Sequence, residues 1–297
     1  MRETAHRCDH AGVRHLRILA IAGPAVLLAC ATPGRRSTAP ESPLAARVEG
    51  PGLLFEVLYS GADAREVPRI EQGLLTAGAR VARWGSFREG VYVHLLPDHA
   101  SLEDAVDRHG YPWLRAWAFG DQVLLQSPRS WNADGETQDD DIVELLTHEL
   151  THALMYQLMQ PATSPPWATE EPPLWFREGM ASVTADQGRR RLSTDELAAW
   201  VANHPGADLL RPDAELYRAQ KDAVYGAAHR AFDLLVRLAG EDSVRQVLQR
   251  VSGGAGFSDA FRTATGYALD DFEHEALRSG FDPKVIRFTT ATGAGGP

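Results

Sequence analysis

In the heptapeptide HELTHAL, residues 148–154, two histidines stand four apart and a glutamate follows the first. On a helix, residues i and i+4 lie one above the other on a single face. His148 and His152 can therefore present two imidazoles to one ion. Glu149 lies about 100° further round the helix, within reach of a water held on that ion. A catalytic zinc usually takes three protein ligands plus water. WFREGM, residues 175–180, offers the third: Glu178, on a short helical segment beyond a Pro-rich loop. The 25 residues between His152 and Glu178 are enough for the chain to reverse direction. The alternative is two partly exposed helix histidines with Glu149 as a solvated acid. Against it, the motif lies in an apolar helix, where unpaired imidazoles are costly to bury.

The elements that must hold these residues can be read on either side of the motif. Residues 139–159, DDDIVELLTHELTHALMYQLM, open on three aspartates, which favour a helix N-terminus, and Pro161 follows the last periodic residue. Ile142, Leu145, Leu146, Glu149, His152, Ala153 and Tyr156 fall on one broad side of that helix. Upstream, 53–59 and 91–96 have strand character, and 63–84 carries apolar residues at helical spacing. A helix over 101–110 takes Ser101 as its N-cap, and 114–127 reads as a hairpin turning at Gly120–Asp121. Downstream, helices are expected at 174–185, 194–203, 219–239, 241–251, 256–264 and 268–278. The fold class is α+β: a small mixed sheet with helices in the N-terminal part, then a mostly helical C-terminal part.

The formal net charge is -10 over 297 residues, which does not favour nucleic acid as a partner, because a phosphate backbone wants neutralising Lys and Arg. The cysteines, Cys8 and Cys30, lie far from the histidines in sequence and suggest no CxxC metal site. Basic residues precede an apolar run at 18–30, ILAIAGPAVLLAC, too short for a comfortable bilayer span and of secretory type. LLAC resembles a bacterial lipobox with Cys30 as the lipidated residue; the alternatives are an ordinary signal peptide cut near Ala29 or Ala31, or an uncleaved anchor. The expected organisation is a signal segment over 1–30, a flexible tether over 31–50, a domain over 51–280 (an α/β subregion at 51–130 and a helical one at 139–280), and a tail over 281–297. The expected location is the cell envelope, lipid-anchored on the outer face of the cytoplasmic membrane or in the outer membrane facing the periplasm, or alternatively secretion.

HELTHAL followed by PLWFREGMAS resembles the peptidase MA-like, gluzincin type of zinc metallopeptidase. The tyrosine-led run YGAAHRAFDLLVRLAG and the closing FSDAFRTATGYALDDFEHEAL extend the resemblance over roughly 53–280. It implies a thermolysin-like zincin arrangement, Zn2+ held by His148, His152 and Glu178, Glu149 as general base, and a peptide or protein substrate. It also implies an edge strand beside the active-site helix that pairs with extended substrate, a place filled here by 123–127. One departure stands out. Family members often carry an acid four residues after the ligand Glu to orient a histidine ligand; here that position is Ser182, with Glu144 as a stand-in.

Tyr225 and His229, one helical turn apart, are candidate oxyanion donors, or else a packing aromatic and a surface histidine. Trp131, Trp167 and Trp175 either line a cleft or pack. The run Arg189–Arg191 reads as a solvated turn. The expected activity is zinc-dependent peptide-bond hydrolysis by an envelope-anchored endopeptidase. No motif such as GxMEN for holding a free amine appears, and the absence of a long prodomain leads us to expect narrow specificity. The alternatives are a hydrolase of the same fold acting on another bond, and a catalytically weak zinc-binding relative that serves as a peptide or envelope-component binding module.

Overall fold

The computed structural model of the chain describes residues 43–132, 136–160 and 171–286. The N-terminal part runs β1 (Leu44–Gly50), β2 (Leu53–Tyr59), α1 (Val67–Val81), β3 (Val91–Leu96), α2 (His99–Val106), β4 (Ala116–Phe119) and β5 (Gln122–Gln126). The five strands form one sheet in the order β1-β2-β3-β5-β4. β2, β3 and β5 are parallel, and β1 and β4 are the antiparallel edges. Parallel neighbours need a crossover. α1 supplies the one between β2 and β3; α2 and β4 lie in the one between β3 and β5. Strand alternation explains the burial: Phe55, Val57, Val91, Val93, Val123 and Leu125 are sealed in the core, while Leu54 and Tyr92, on intervening positions, are exposed.

Helix α3 (Asp139–Met159) is the centre of the molecule, touching α1, β4, β5 and two later helices. Its stripe of apolar residues widens to nearly the whole circumference: Leu150, Leu154, Met155 and Met159 are buried together with Ile142 and Leu146. A helix apolar on all sides is a core helix. Its two threonines fit there because each hydroxyl donates to the carbonyl four residues back, Thr147 to Val143 and Thr151 to Thr147, both at 2.7 Å. Helix α1 crosses it closely at Gly73, where a Cβ would sit 2.9 Å from a Leu146 methyl.

The C-terminal part is helical: α4 (Leu174–Thr184), α5 (Thr194–Asn203), α6 (Ala214–Ala219), α7 (Lys221–Ser252), α8 (Phe257–Thr265) and α9 (Leu269–Arg278). α4 packs across α7 and shares an aromatic core with it: Trp175, Phe176, Phe232, Phe257, Phe261 and Phe272 meet edge-on or stacked. α7 is broken at Gly240, whose φ of 81° lies in the left-handed region, so it corresponds to the two helices expected on either side of that residue. The observed arrangement is the expected α+β, zincin-like one.

Several expectations need correction. Residues 44–50, read from composition as tether, form β1: Ala46 and Val48 turn inward along the edge of β2, an alternation too short to stand out in sequence. At the other end Phe281 and Ile286 are buried, so packing continues past residue 280. The cap of α2 is Asp98, whose carboxylate accepts from both the N–H and the hydroxyl of Ser101. Of the two alternatives for the tryptophans, packing holds for Trp175, a core residue whose indole N–H donates to Glu273 at 2.7 Å, and for Trp131, which packs against the core and donates to the Gln126 carbonyl. Trp167, Cys8, Cys30 and residues 287–297 lie outside the described residues. Among the described residues no helix is long and apolar enough to cross a membrane.

Candidate metal centre

His148 and His152 project from one face of α3, as their spacing requires, and α4 crosses them so that Glu178 faces both rings. The two Nε2 atoms are 3.2 Å apart, and Glu178 Oε2 lies 3.3 Å from His148 Nε2 and 3.7 Å from His152 Nε2. Zinc bonds of about 2.0–2.1 Å in tetrahedral geometry put ligand atoms about 3.3–3.4 Å apart, so the three observed separations fit one ion. Among the described residues these three form the one cluster of such groups able to hold a metal. Two imidazole nitrogens and a carboxylate oxygen converging on one point can be bridged by a single cation. In the protein alone, burial raises the Glu178 carboxyl, but the charges and hydrogen bonds of His152 and His148 outweigh that and hold it well below its ordinary value.

Gly179 lets α4 pack closely on α7. A Cβ there would lie 2.3 Å from the Ala228 carbonyl oxygen and 2.6 Å from Phe232 Cβ. The glycine beside the ligand therefore sets the distance between α4 and α7.

Glu149 faces the edge strand. Its carboxylate is buried, with the Ala118 N–H on β4 near enough to favour the charged form slightly. Burial pushes its pKa up against the opposing pull of His148 and His152. A carboxylate raised in this way is a better proton acceptor near neutral pH. The strand beside α3 is thus β4, not 123–127. β5 is paired on both sides, with β3 and with β4, and leaves no open edge. The hairpin was legible; which of its arms is outermost depends on the long-range pairing of β5 with β3.

Tyr225, on α7, lies close enough to Glu178 for that charge to add to burial in raising its phenol well above the ordinary value. The phenol stays protonated, and it shares a 2.9 Å hydrogen bond with the Tyr217 hydroxyl. His229, one turn on, is buried, with Nδ1 3.0 Å from Ser182 Oγ and Gly188 against Nε2.

The histidine-orienting partner comes from an unforeseen place. His148 Nδ1 is 3.2 Å from Oε1 of Gln187, in the 3-10 turn after α4. Glu144 does not take this part; it is occupied by Arg189 at 2.5 Å and by Arg190 at 3.4 Å. The arginine run is therefore not a free turn: two members clamp the first turns of α3, with Arg190 also pairing with Asp141, and Arg191 turns inward. No motif marks Gln187, and its only sequence signal is its position shortly after the ligand helix.

No family model and no curated protein sequence matches this chain. Among solved structures it is similar to Legionella pneumophila aminopeptidase A in complex with aspartic acid, at 16% identity and a TM-score of 0.49, over 81% of this chain and 28% of that one. It is also similar to an aminopeptidase N family protein from Idiomarina loihiensis, at 13% identity and a TM-score of 0.40, over 77% of this chain and 43% of that one. The chain thus spans less than half the length of either. At the site itself, His148, His152 and Glu178 with Glu149 beside them match the HExxH…E centre of a gluzincin-type zinc metallopeptidase, a set suited to one Zn2+ and to zinc-dependent hydrolysis of peptide bonds.

Proposed function

We propose that the protein is an endopeptidase of narrow specificity, held at the cell envelope through a lipidated Cys30, with 51–280 as the core of its metallopeptidase domain. The observation that carries the chemistry is the ligand spacing: three donor atoms 3.2, 3.3 and 3.7 Å apart, with a buried carboxylate next to them. Zinc held by His148, His152 and Glu178 would supply Lewis-acid chemistry, polarising a scissile carbonyl and lowering the pKa of an attacking water. Glu149 takes the proton from that water and passes it to the leaving nitrogen. Tyr225 is the donor we retain for the developing oxyanion, because its phenol stays protonated and lies near Glu178. His229 faces Ser182, so we give it no contact with substrate. The open edge of β4 offers unpaired backbone groups to an extended peptide. The three ligand side chains are at most 19% exposed, which favours a single extended strand over a folded surface.

The test is metal content by elemental mass spectrometry, followed by hydrolysis of a peptide library. About one zinc per chain is expected, with Glu149→Gln keeping the zinc and abolishing cleavage. Wild-type cleavage by Glu149→Gln would remove Glu149 as base; a folded chain that takes up no zinc would overturn the enzyme reading.

A further inference from the structure

We infer that Arg191 is a positioning residue for the metal centre: it fixes the amide of Gln187, which in turn fixes which nitrogen of His148 is free to bind. This rests on the zinc reading of the site. Gln187 Oε1 receives Arg191 Nη2 at 2.6 Å and faces His148 Nδ1 at 3.2 Å. A guanidinium only donates, whereas a glutamine amide has one accepting end and one donating end. The end that meets Arg191 must therefore be the oxygen. The same oxygen can meet His148 Nδ1 only if that nitrogen carries the proton, which leaves the Nε2 lone pair pointing at Glu178 and His152. Without Arg191 the amide can turn over and offer its NH2 to Nδ1, favouring the tautomer whose Nε2 cannot bind.

Arg191 holds Gln187 together with two further neighbours. It is in no salt bridge among those of the described residues, although it is partly buried. Its Nε donates to Ser182 Oγ at 3.2 Å, and its guanidinium lies 5.2 Å from the centroid of the Tyr225 ring. Ser182 accepts from Arg191 and so turns its own proton to His229 Nδ1. The site where relatives often place an orienting acid thus holds a small hydroxyl, and a neutral amide locked by a cation does the orienting instead.

The experiment is a cycle of zinc affinities on the full chain, measured by competition with a chelator, so that activity is not the readout. Partners of a metal-binding histidine typically contribute 10–100-fold to affinity. We expect Arg191→Leu and Gln187→Met each to weaken zinc binding by about that factor, and the double variant to be no weaker than either single one. Arg191→Lys, also donor-only, should stay within about threefold of wild type. If Arg191→Leu does not fold, Arg191→Lys and Gln187→Met carry the test. Wild-type affinity in Arg191→Leu, losses that multiply in the double variant, or a wild-type affinity in Gln187→Met would overturn the inference while leaving the zinc site standing. Absence of zinc binding by the wild-type chain would overturn the zinc site itself.

Discussion

Gly179→Ala sets two effects of known size against each other. By helix propensity alone, alanine in α4 should stabilise the protein by about 1 kcal/mol. By packing it should do the reverse. The new methyl would lie 2.3 Å from the Ala228 carbonyl oxygen, where ordinary contact begins near 3.4 Å. That oxygen belongs to the backbone of α7 and cannot rotate aside, so α4 and α7 must part by about 1 Å. Forcing an extra carbon into a packed core costs about 1–3 kcal/mol and occasionally more. With a backbone atom as the obstacle and Trp175, Phe176 and Met180 buried on the same helix, the upper end applies. Packing wins, with a net loss of about 2 kcal/mol. The neighbouring Glu178 moves with its helix. A metal site tolerates about 0.2 Å in its bond lengths, so a shift several times larger should weaken zinc binding by tenfold or more. Urea unfolding of the metal-free protein reads the first effect, and chelator competition the second. A variant as stable as wild type, with unchanged zinc affinity, would refute the claim that this glycine sets the distance between α4 and α7 and, through it, the place of Glu178.

Glu178→Ala removes a ligand outright, so zinc should be lost on dialysis; unchanged zinc content would exclude it as third ligand. His229 is buried, and that burial, with the Arg230 charge, depresses its pKa to about 4 from 6.5. The folded state therefore binds fewer protons than the unfolded state between those values, and stability present above pH 6.5 is lost as pH falls towards 4, by at most about 3 kcal/mol. His229→Gln should show a shallower loss between pH 7 and 4.5 in urea unfolding, and parallel losses in both proteins would contradict this. Cys30 should carry lipid; an unmodified thiol in the intact mass of membrane-extracted protein would decide against the anchor.

The sequence by itself determined what is local. The α3 boundaries at Asp139 and Met159 follow from a charged first turn, an unbroken apolar run and a proline beyond it. The facing of His148 and His152 follows from helix geometry, and the Gly120–Asp121 turn from hairpin chemistry. Glu178 was legible as a candidate because chemistry required a third ligand and few acids lay at a workable distance. Only the tertiary structure decided what depends on partners distant in sequence. β1 is a strand because β2 offers it an edge, not because its own residues insist. β4 faces the site because β5 pairs with β3. Tyr225 approaches Glu178, while His229 turns to Ser182, because Gly179 lets α4 settle against α7. Arg191 and Gln187 carry no motif at all; their relation to His148 arises from the path of the turn after α4, and a side-chain amide becomes informative only once the groups on both sides of it are known.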